Sequence, residues 1–110
     1  VDPKEPGILE RVRAATQKRI LFLRHALDRM NAPDPMISRI EVRSVIFQGK
    51  VIEDYPEDAR GHSCLLLGYG DGGRAVHVVC APKDEYLAVI TVYLPDPEQW
   101  ELDWVTRRRS

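Results

Sequence analysis

The turn Gly70-Asp71-Gly72-Gly73 lies between two apolar runs and constrains the fold more than any other stretch of the chain. Asp-Gly between β-rich segments is a hairpin signal, because a tight turn needs residues that accept positive φ. The run before it is Ser63-Cys64-Leu65-Leu66-Leu67-Gly68-Tyr69 and the run after it is Ala75-Val76-His77-Val78-Val79-Cys80-Ala81. A second turn, Pro82-Lys83-Asp84-Glu85, leads into Tyr86-Leu87-Ala88-Val89-Ile90-Thr91-Val92-Tyr93-Leu94, so the three runs read as a meander. Pairing Gly70 with Gly73 sets Tyr69 opposite Arg74, Leu67 opposite Val76 and Leu66 opposite His77. Counting back from the second turn sets Arg74 opposite Tyr93 and His77 opposite Ile90. Side chains alternate between faces, so this register predicts a polar row, Tyr69-Arg74-Tyr93, on one face. The other face carries Cys64, Leu66, Ala75, His77, Val79, Ile90, Val92 and Leu94, and is the expected seat for helices.

At 110 residues the chain is read as one domain covering residues 1–110. No apolar run approaches the roughly 20 residues that span a bilayer. No charged region followed by an apolar one marks a secretory leader, so the expected location is cytoplasmic, with no membrane association. Two cysteines make no disulfide framework. In the register above, Cys64 and Cys80 point to opposite faces and are read as separate buried thiols. The net charge is −1, which argues against a dedicated nucleic-acid binder. Its distribution is uneven: residues 1–50 carry +4, residues 51–106 carry −8, and Arg107, Arg108 and Arg109 add +3. A local basic surface is therefore compatible with the overall balance.

Asp2-Pro3-Lys4-Glu5 reads as a helix start, with Ile8, Leu9, Val12 and Ala15 at helical spacing as far as about Thr16. Ile20-Leu21-Phe22-Leu23 predicts a short edge strand, since four bulky residues in a row cannot share one helical stripe. Arg24 to Met30 predicts a helix with His25 and Arg29 on one side and an Arg24–Asp28 ion pair. Ser38-Arg39-Ile40-Glu41 is a capping box opening a helix that buries Val42, Val45 and Ile46 and stops at Gly49. Val51 to Tyr55 predicts a strand ended by Pro56. Asp96-Pro97-Glu98-Gln99 predicts a closing helix that lays Trp100 and Trp104 together against the body.

His25-Ala26-Leu27-Asp28-Arg29-Met30, Gly73-Arg74-Ala75-Val76-His77-Val78-Val79, and Ile90-Thr91-Val92-Tyr93-Leu94-Pro95-Asp96-Pro97 followed by Trp100 resemble a bacterial domain-of-unknown-function family. That family is similar in layout to the RelE/ParE-like toxins. The resemblance implies an α+β fold: a small antiparallel sheet of four to five strands with helices packed on one face. It also implies a partner antitoxin, often of the zinc-finger MqsA-like type, and RNA or the ribosome as target. RelE-like toxins cut RNA by in-line attack of a ribose 2′-hydroxyl, which needs a base, an acid and cations for the developing phosphorane. Carried over by position, Arg74, Tyr93, His77 and His25 become the catalytic candidates. Arg29, Arg74 and Tyr69 become the RNA- or phosphate-binding candidates. No cofactor is expected, and no metal either, because His62-Ser63-Cys64 has no second ligand pair at suitable spacing. One departure stands out: Asn31-Ala32-Pro33-Asp34-Pro35-Met36 intervenes before Ile37-Ser38, where the family carries an Arg-Gly-Ile-Ser turn.

Each candidate has a plainer reading: a buried structural histidine for His77, a helix anchor for His25 and Arg29, an exposed solubilising charge for Arg74, ordinary strand residues for Tyr69 and Tyr93. Two function classes follow. One is a toxin that cleaves RNA without a metal. The other is a noncatalytic interaction domain of the same fold, whose remaining apolar sheet face (Leu65, Leu67, Val76, Val78 and Val89) is covered by a partner, a second copy of the chain, or the chain's own ends.

Overall fold

A computed structural model describes residues 7–33 and 35–109. The elements are α1 (Ile8–Lys18), β1 (Ile20–Phe22), α2 (Arg24–Asn31), α3 (Arg39–Gln48), β2 (Lys50–Tyr55), β3 (Ser63–Tyr69), β4 (Ala75–Pro82) and β5 (Leu87–Tyr93). The strands form one open sheet in the order β1-β5-β4-β3-β2. β1 runs parallel to β5 and the other neighbours are antiparallel. The sheet is therefore mixed rather than purely antiparallel. Helices α2 and α3 carry the chain from one edge strand to the other before the meander begins, and the meander then returns to β1.

Local chemistry accounts for most element boundaries. α1 buries Val12, Ala15 and Thr16 along one stripe, and the Thr16 hydroxyl donates to the Val12 carbonyl at 2.8 Å. The expected start of this helix at Asp2 to Glu5 lies outside the described residues. In α2, Ala26 and Met30 are buried one turn apart, and Ala32 before Pro33 is extended, as a residue preceding proline must be. The Arg24–Asp28 pair forms at 3.6 Å between exposed groups, so its contribution is small. α3 opens on the full capping box, with Ser38 Oγ accepting from the Glu41 amide and Glu41 Oε1 accepting from the Ser38 amide. All three helices pack on one sheet face against Cys64, Leu66, Val76, Val78, Cys80, Leu87, Val89 and Val92.

The β3–β4 register differs from the expected one by a single residue, and the β4–β5 register by three at His77. Tyr69 pairs with Ala75, Leu67 with His77, and Leu66 with Val78. The connection is a five-residue loop, Gly70 to Arg74, closed by the Gly70 amide donating to the Arg74 carbonyl at 2.8 Å. Gly72 (φ +64°) and Gly73 (φ +76°) supply the left-handed backbone of its 3-10 turn. Glu41 fixes this loop. Its Oε2 accepts from the Asp71 amide and from Arg74 Nε, both at 2.9 Å, and its Oε1 accepts from Arg74 Nη2 at 2.6 Å. Arg74 is drawn out of the strand and bound toward α3, so the row Tyr69-Arg74-Tyr93 does not form. His77 pairs with Tyr93 instead of Ile90, after a bulge between Val79 and Cys80. The one-residue shift also makes Cys64 and Cys80 direct cross-strand neighbours on the helix side, where the expected register put them on opposite faces. Both are free and buried.

Among the described residues no closing helix follows β5. The Asp96 carbonyl accepts from the amides of Gln99 and Trp100, which makes one turn only. The chain then folds back as a small hairpin. Trp100 pairs with Arg107, Glu101 N–H donates to Thr106 O at 2.7 Å, and Arg108 N–H donates to Gln99 O at 2.8 Å. Asp103 captures the amides of Val105 and Thr106 at 2.9 Å and the Thr106 hydroxyl at 2.8 Å, a local arrangement that competes with helix.

Glu41 is 2% exposed and accepts four hydrogen bonds, which is what makes a buried carboxylate tolerable. Replacing Arg74 by Ala is expected to lower unfolding stability by about 3 kcal/mol, since it strands that charge. Urea denaturation measures the loss. A variant as stable as the parent chain would show that the pair is not what holds the loop.

Candidate functional site

The sheet face turned away from the helices carries a row of side chains crossing four strands: Lys50, Leu67, His77 and Tyr93. His77 is fully buried and bonded at both ring nitrogens. Its Nε2 lies 2.8 Å from the Trp104 carbonyl and its Nδ1 lies 3.2 Å from the Tyr93 hydroxyl. A carbonyl only accepts, so Nε2 carries the hydrogen, and neutral Nδ1 accepts from Tyr93. Burial lowers the His77 pKa from its usual 6.5, which keeps the ring neutral and leaves Nδ1 an unprotonated acceptor. The Trp100 ring stands edge-on to the imidazole at 4.5 Å and seals it from solvent. Trp104 holds φ +61°, a left-handed conformation unfavourable for a bulky residue by roughly 1 kcal/mol. The strained turn aims its carbonyl at His77.

Beside this pair lies a charged cluster. Glu53 and Tyr55, two apart on β2, share a face, and the Tyr55 hydroxyl donates to Glu53 Oε1. Arg107 comes from the terminal hairpin and binds Glu53 in bidentate fashion, at 2.8 and 2.9 Å, with its guanidinium 4.5 Å above the Trp100 ring. The Arg107 hydrogen bonds hold the Glu53 carboxyl below its ordinary range. Burial, with Glu53 second, pushes Tyr55 up to about 12. Burial likewise raises the Tyr93 pKa. Gln48, Lys50, Leu67, Gly68 and Tyr69 line an open cleft of about 340 Å³ at the Lys50 end of the row. Tyr69 is 56% exposed there.

The sheet divides the residues singled out from the sequence. Tyr69, His77 and Tyr93 share the face just described. Arg74, His25 and Arg29 lie on the helix side, with Arg74 committed to Glu41 and to the Met36 carbonyl at 2.7 Å. His25 and Arg29 are exposed on α2. Sequence reasoning missed Glu53, Tyr55, Lys50 and Arg107. The alternation in Val51-Ile52-Glu53-Asp54-Tyr55 does place Glu53 and Tyr55 together, but nothing local signals that Arg107 returns to them. Among the described residues no group of three or more His, Cys, Asp or Glu side chains is arranged to hold a metal ion. None of their helices is long and apolar enough to cross a membrane.

A family model, Domain of unknown function (DUF4258), matches residues 22–94. The chain belongs to this family. No curated protein and no solved structure matches it. The DUF4258 match runs from the end of β1 to just past β5, so it includes Lys50, Glu53, His77 and Tyr93. α1 and the hairpin that supplies Trp100, Trp104 and Arg107 lie outside it.

The lowered His77 pKa sets a pH dependence. In the unfolded chain His77 protonates as pH falls through 6.5, while in the folded chain it resists. Stability from this group is complete above pH 6.5 and declines as pH falls from there toward the folded value. Denaturation midpoints between pH 7.5 and 5.5 are expected to fall in the parent chain and to vary less in His77→Gln. Equal slopes in the two proteins would remove His77 as the source.

Proposed function

We propose that this DUF4258 chain is a RelE-like toxin that cleaves RNA by in-line attack of a ribose 2′-hydroxyl on the adjacent phosphate. The observation that carries the reading is the Tyr93–His77 pair, with its tautomer fixed by the Trp104 carbonyl. The Tyr93 hydroxyl donates a hydrogen bond to His77 Nδ1, so the lone pairs of its oxygen remain free to accept. A 2′-hydroxyl bound there passes its proton to Tyr93 as the Tyr93 proton moves to His77. The new bond joins the 2′-oxygen to phosphorus and the bond to the 5′-oxygen breaks. The leaving oxygen takes a proton from water, and the products are a 2′,3′-cyclic phosphate and a 5′-hydroxyl. Arg107, the cation nearest this pair, is already neutralised by Glu53, and Lys50 lies three strands from Tyr93, where it suits a neighbouring phosphate of the same RNA rather than the phosphorane itself. In this reading Tyr69 is a stacking surface for a base beside Lys50. Arg29 and His25 offer a second cationic surface on α2, and Arg74 holds the fold. The partner is an antitoxin that masks the toxin until it is released.

A second reading, a noncatalytic interaction domain, draws on the burial of Trp100, 2% exposed, over His77. The chain's own hairpin fills much of the face that a substrate needs. Purified protein incubated with single-stranded RNA, with and without the product of the neighbouring gene, separates the two. The toxin reading expects cleavage that the neighbour suppresses. Tyr93→Phe is expected to slow cleavage about 100-fold while leaving the fold intact by circular dichroism. Undiminished cleavage by Tyr93→Phe removes the dyad from the mechanism, and no cleavage by the parent chain favours the interaction domain.

A further inference from the structure

Two sets of cations among the described residues are held in different ways. Arg74, Arg60 and Arg107 are each neutralised by a carboxylate at 2.6 to 2.9 Å, from Glu41, Asp58 and Glu53. Arg11, Lys18 and Lys83 are held differently. Together with Ala14, Ala15, Pro82 and Asp84 they line one cleft of about 220 Å³ between α1 and the β4–β5 turn. The nearest acceptor of each charged head is neutral, although Lys18 also has the Glu85 carboxylate at 3.9 Å. Arg11 Nη1 donates to His62 Nδ1 at 3.0 Å, and His62 Nε2 in turn donates to Asp54 Oδ1 at 2.6 Å. Lys18 Nζ donates to the Asp84 carbonyl at 2.6 Å. Lys83 Nζ donates to the Arg60 carbonyl.

We propose that this cleft is a phosphoryl-binding site. Three cations on a partly apolar floor, positioned before any ligand arrives, suit a compact anion with several acceptor oxygens. The β2–β3 loop is shaped to present Lys83. Asp58 ties the loop by accepting from the Arg60 amide at 2.9 Å and from the Ser63 hydroxyl at 2.6 Å. Gly61, at φ +105°, leaves open the space that a Cβ would take 2.6 Å from Lys83 Nζ. Two carboxylates temper the field. Asp84 lines the cleft, and Glu85 lies 3.9 Å from Lys18 but is 84% exposed, where water screens it. The chemistry recognised is a phosphate group, carried either at the end of a chain as a monoester or within it as a diester. Nothing in this assignment depends on RNA cleavage, since the cleft involves neither Tyr93 nor His77.

The test is an amide NMR titration of the full chain with inorganic phosphate. Saturable shifts are expected at Ala15, Gly61, Lys83 and Asp84. Lys83→Gln is expected to weaken the apparent affinity about tenfold. Asp84→Asn is expected to tighten it by roughly threefold. Arg43→Gln, on the exposed side of α3, should change nothing. Two short oligonucleotides of one sequence, with and without a 5′-phosphate, then identify the source. Tighter binding of the phosphorylated one assigns a terminal monoester, and equal binding assigns internal diesters. Absence of saturable shifts, shifts equally strong in Lys83→Gln, or shifts spread over Arg24, Arg39 and Arg43 would overturn the proposal.

Discussion

The Glu41 carboxylate decides more of this fold than any other single group. Oε1 serves the start of its own helix and the arginine that closes the β3–β4 loop, while Oε2 serves the loop backbone and the same arginine. A buried charge is stable only when its acceptor sites are filled, and here four donors from three residues fill them. Any four-residue turn would leave Arg74 in the strand and Glu41 unsatisfied. The five-residue loop follows from that requirement, and the β3–β4 register follows from the loop.

Because side chains alternate with period two, that one residue reassigns both faces of β4 relative to β3. Val76 and Val78 join the helix-packed core, and His77 goes to the other side. There it meets Tyr93 across the next strand, and both need partners that an apolar core does not offer. The terminal hairpin supplies them, with a carbonyl from Trp104 and an aromatic wall from Trp100. The outer face is thus neither an open apolar surface nor a second helical layer. It is a polar pair under a small lid, with Lys50 and Tyr69 left in water at one end.

What could be read from the sequence was local. The Ser38–Glu41 capping box, the Gly49 stop, the edge strand at Ile20 to Leu23 and the helix over Arg24 to Met30 each rest on signals within a few residues, and each forms to within one residue. Glu41 was legible as a capping residue but not as a loop anchor, because Asp71 and Arg74 are 30 and 33 residues away. Asp96-Pro97-Glu98 carries a helix start and does make a turn. Nothing in that start reveals that Asp103 will bind its own backbone and reverse the chain. Tyr93 and His77 were singled out separately, yet their contact depends on the β4–β5 register, which the bulge between Val79 and Cys80 shifts. Arg107 was legible only as part of a basic tail. Its bidentate bond to Glu53, 54 positions away, is purely tertiary.

The same tertiary pairing explains how a chain of net charge −1 can present cations selectively. A bidentate carboxylate cancels an arginine where the arginine holds structure, as at Glu41, Glu53 and Asp58. A carbonyl or a neutral imidazole fixes the position of a cation without cancelling it. Around Arg11, Lys18 and Lys83 the chain uses the second device, and it places Asp54 behind His62 rather than against Arg11. Inserting an imidazole between a carboxylate and a guanidinium keeps the guanidinium oriented while moving the negative charge a ring's width away. Overall charge balance therefore says little about where this protein attracts anions. The distinction lies in what each cation's nearest acceptor is.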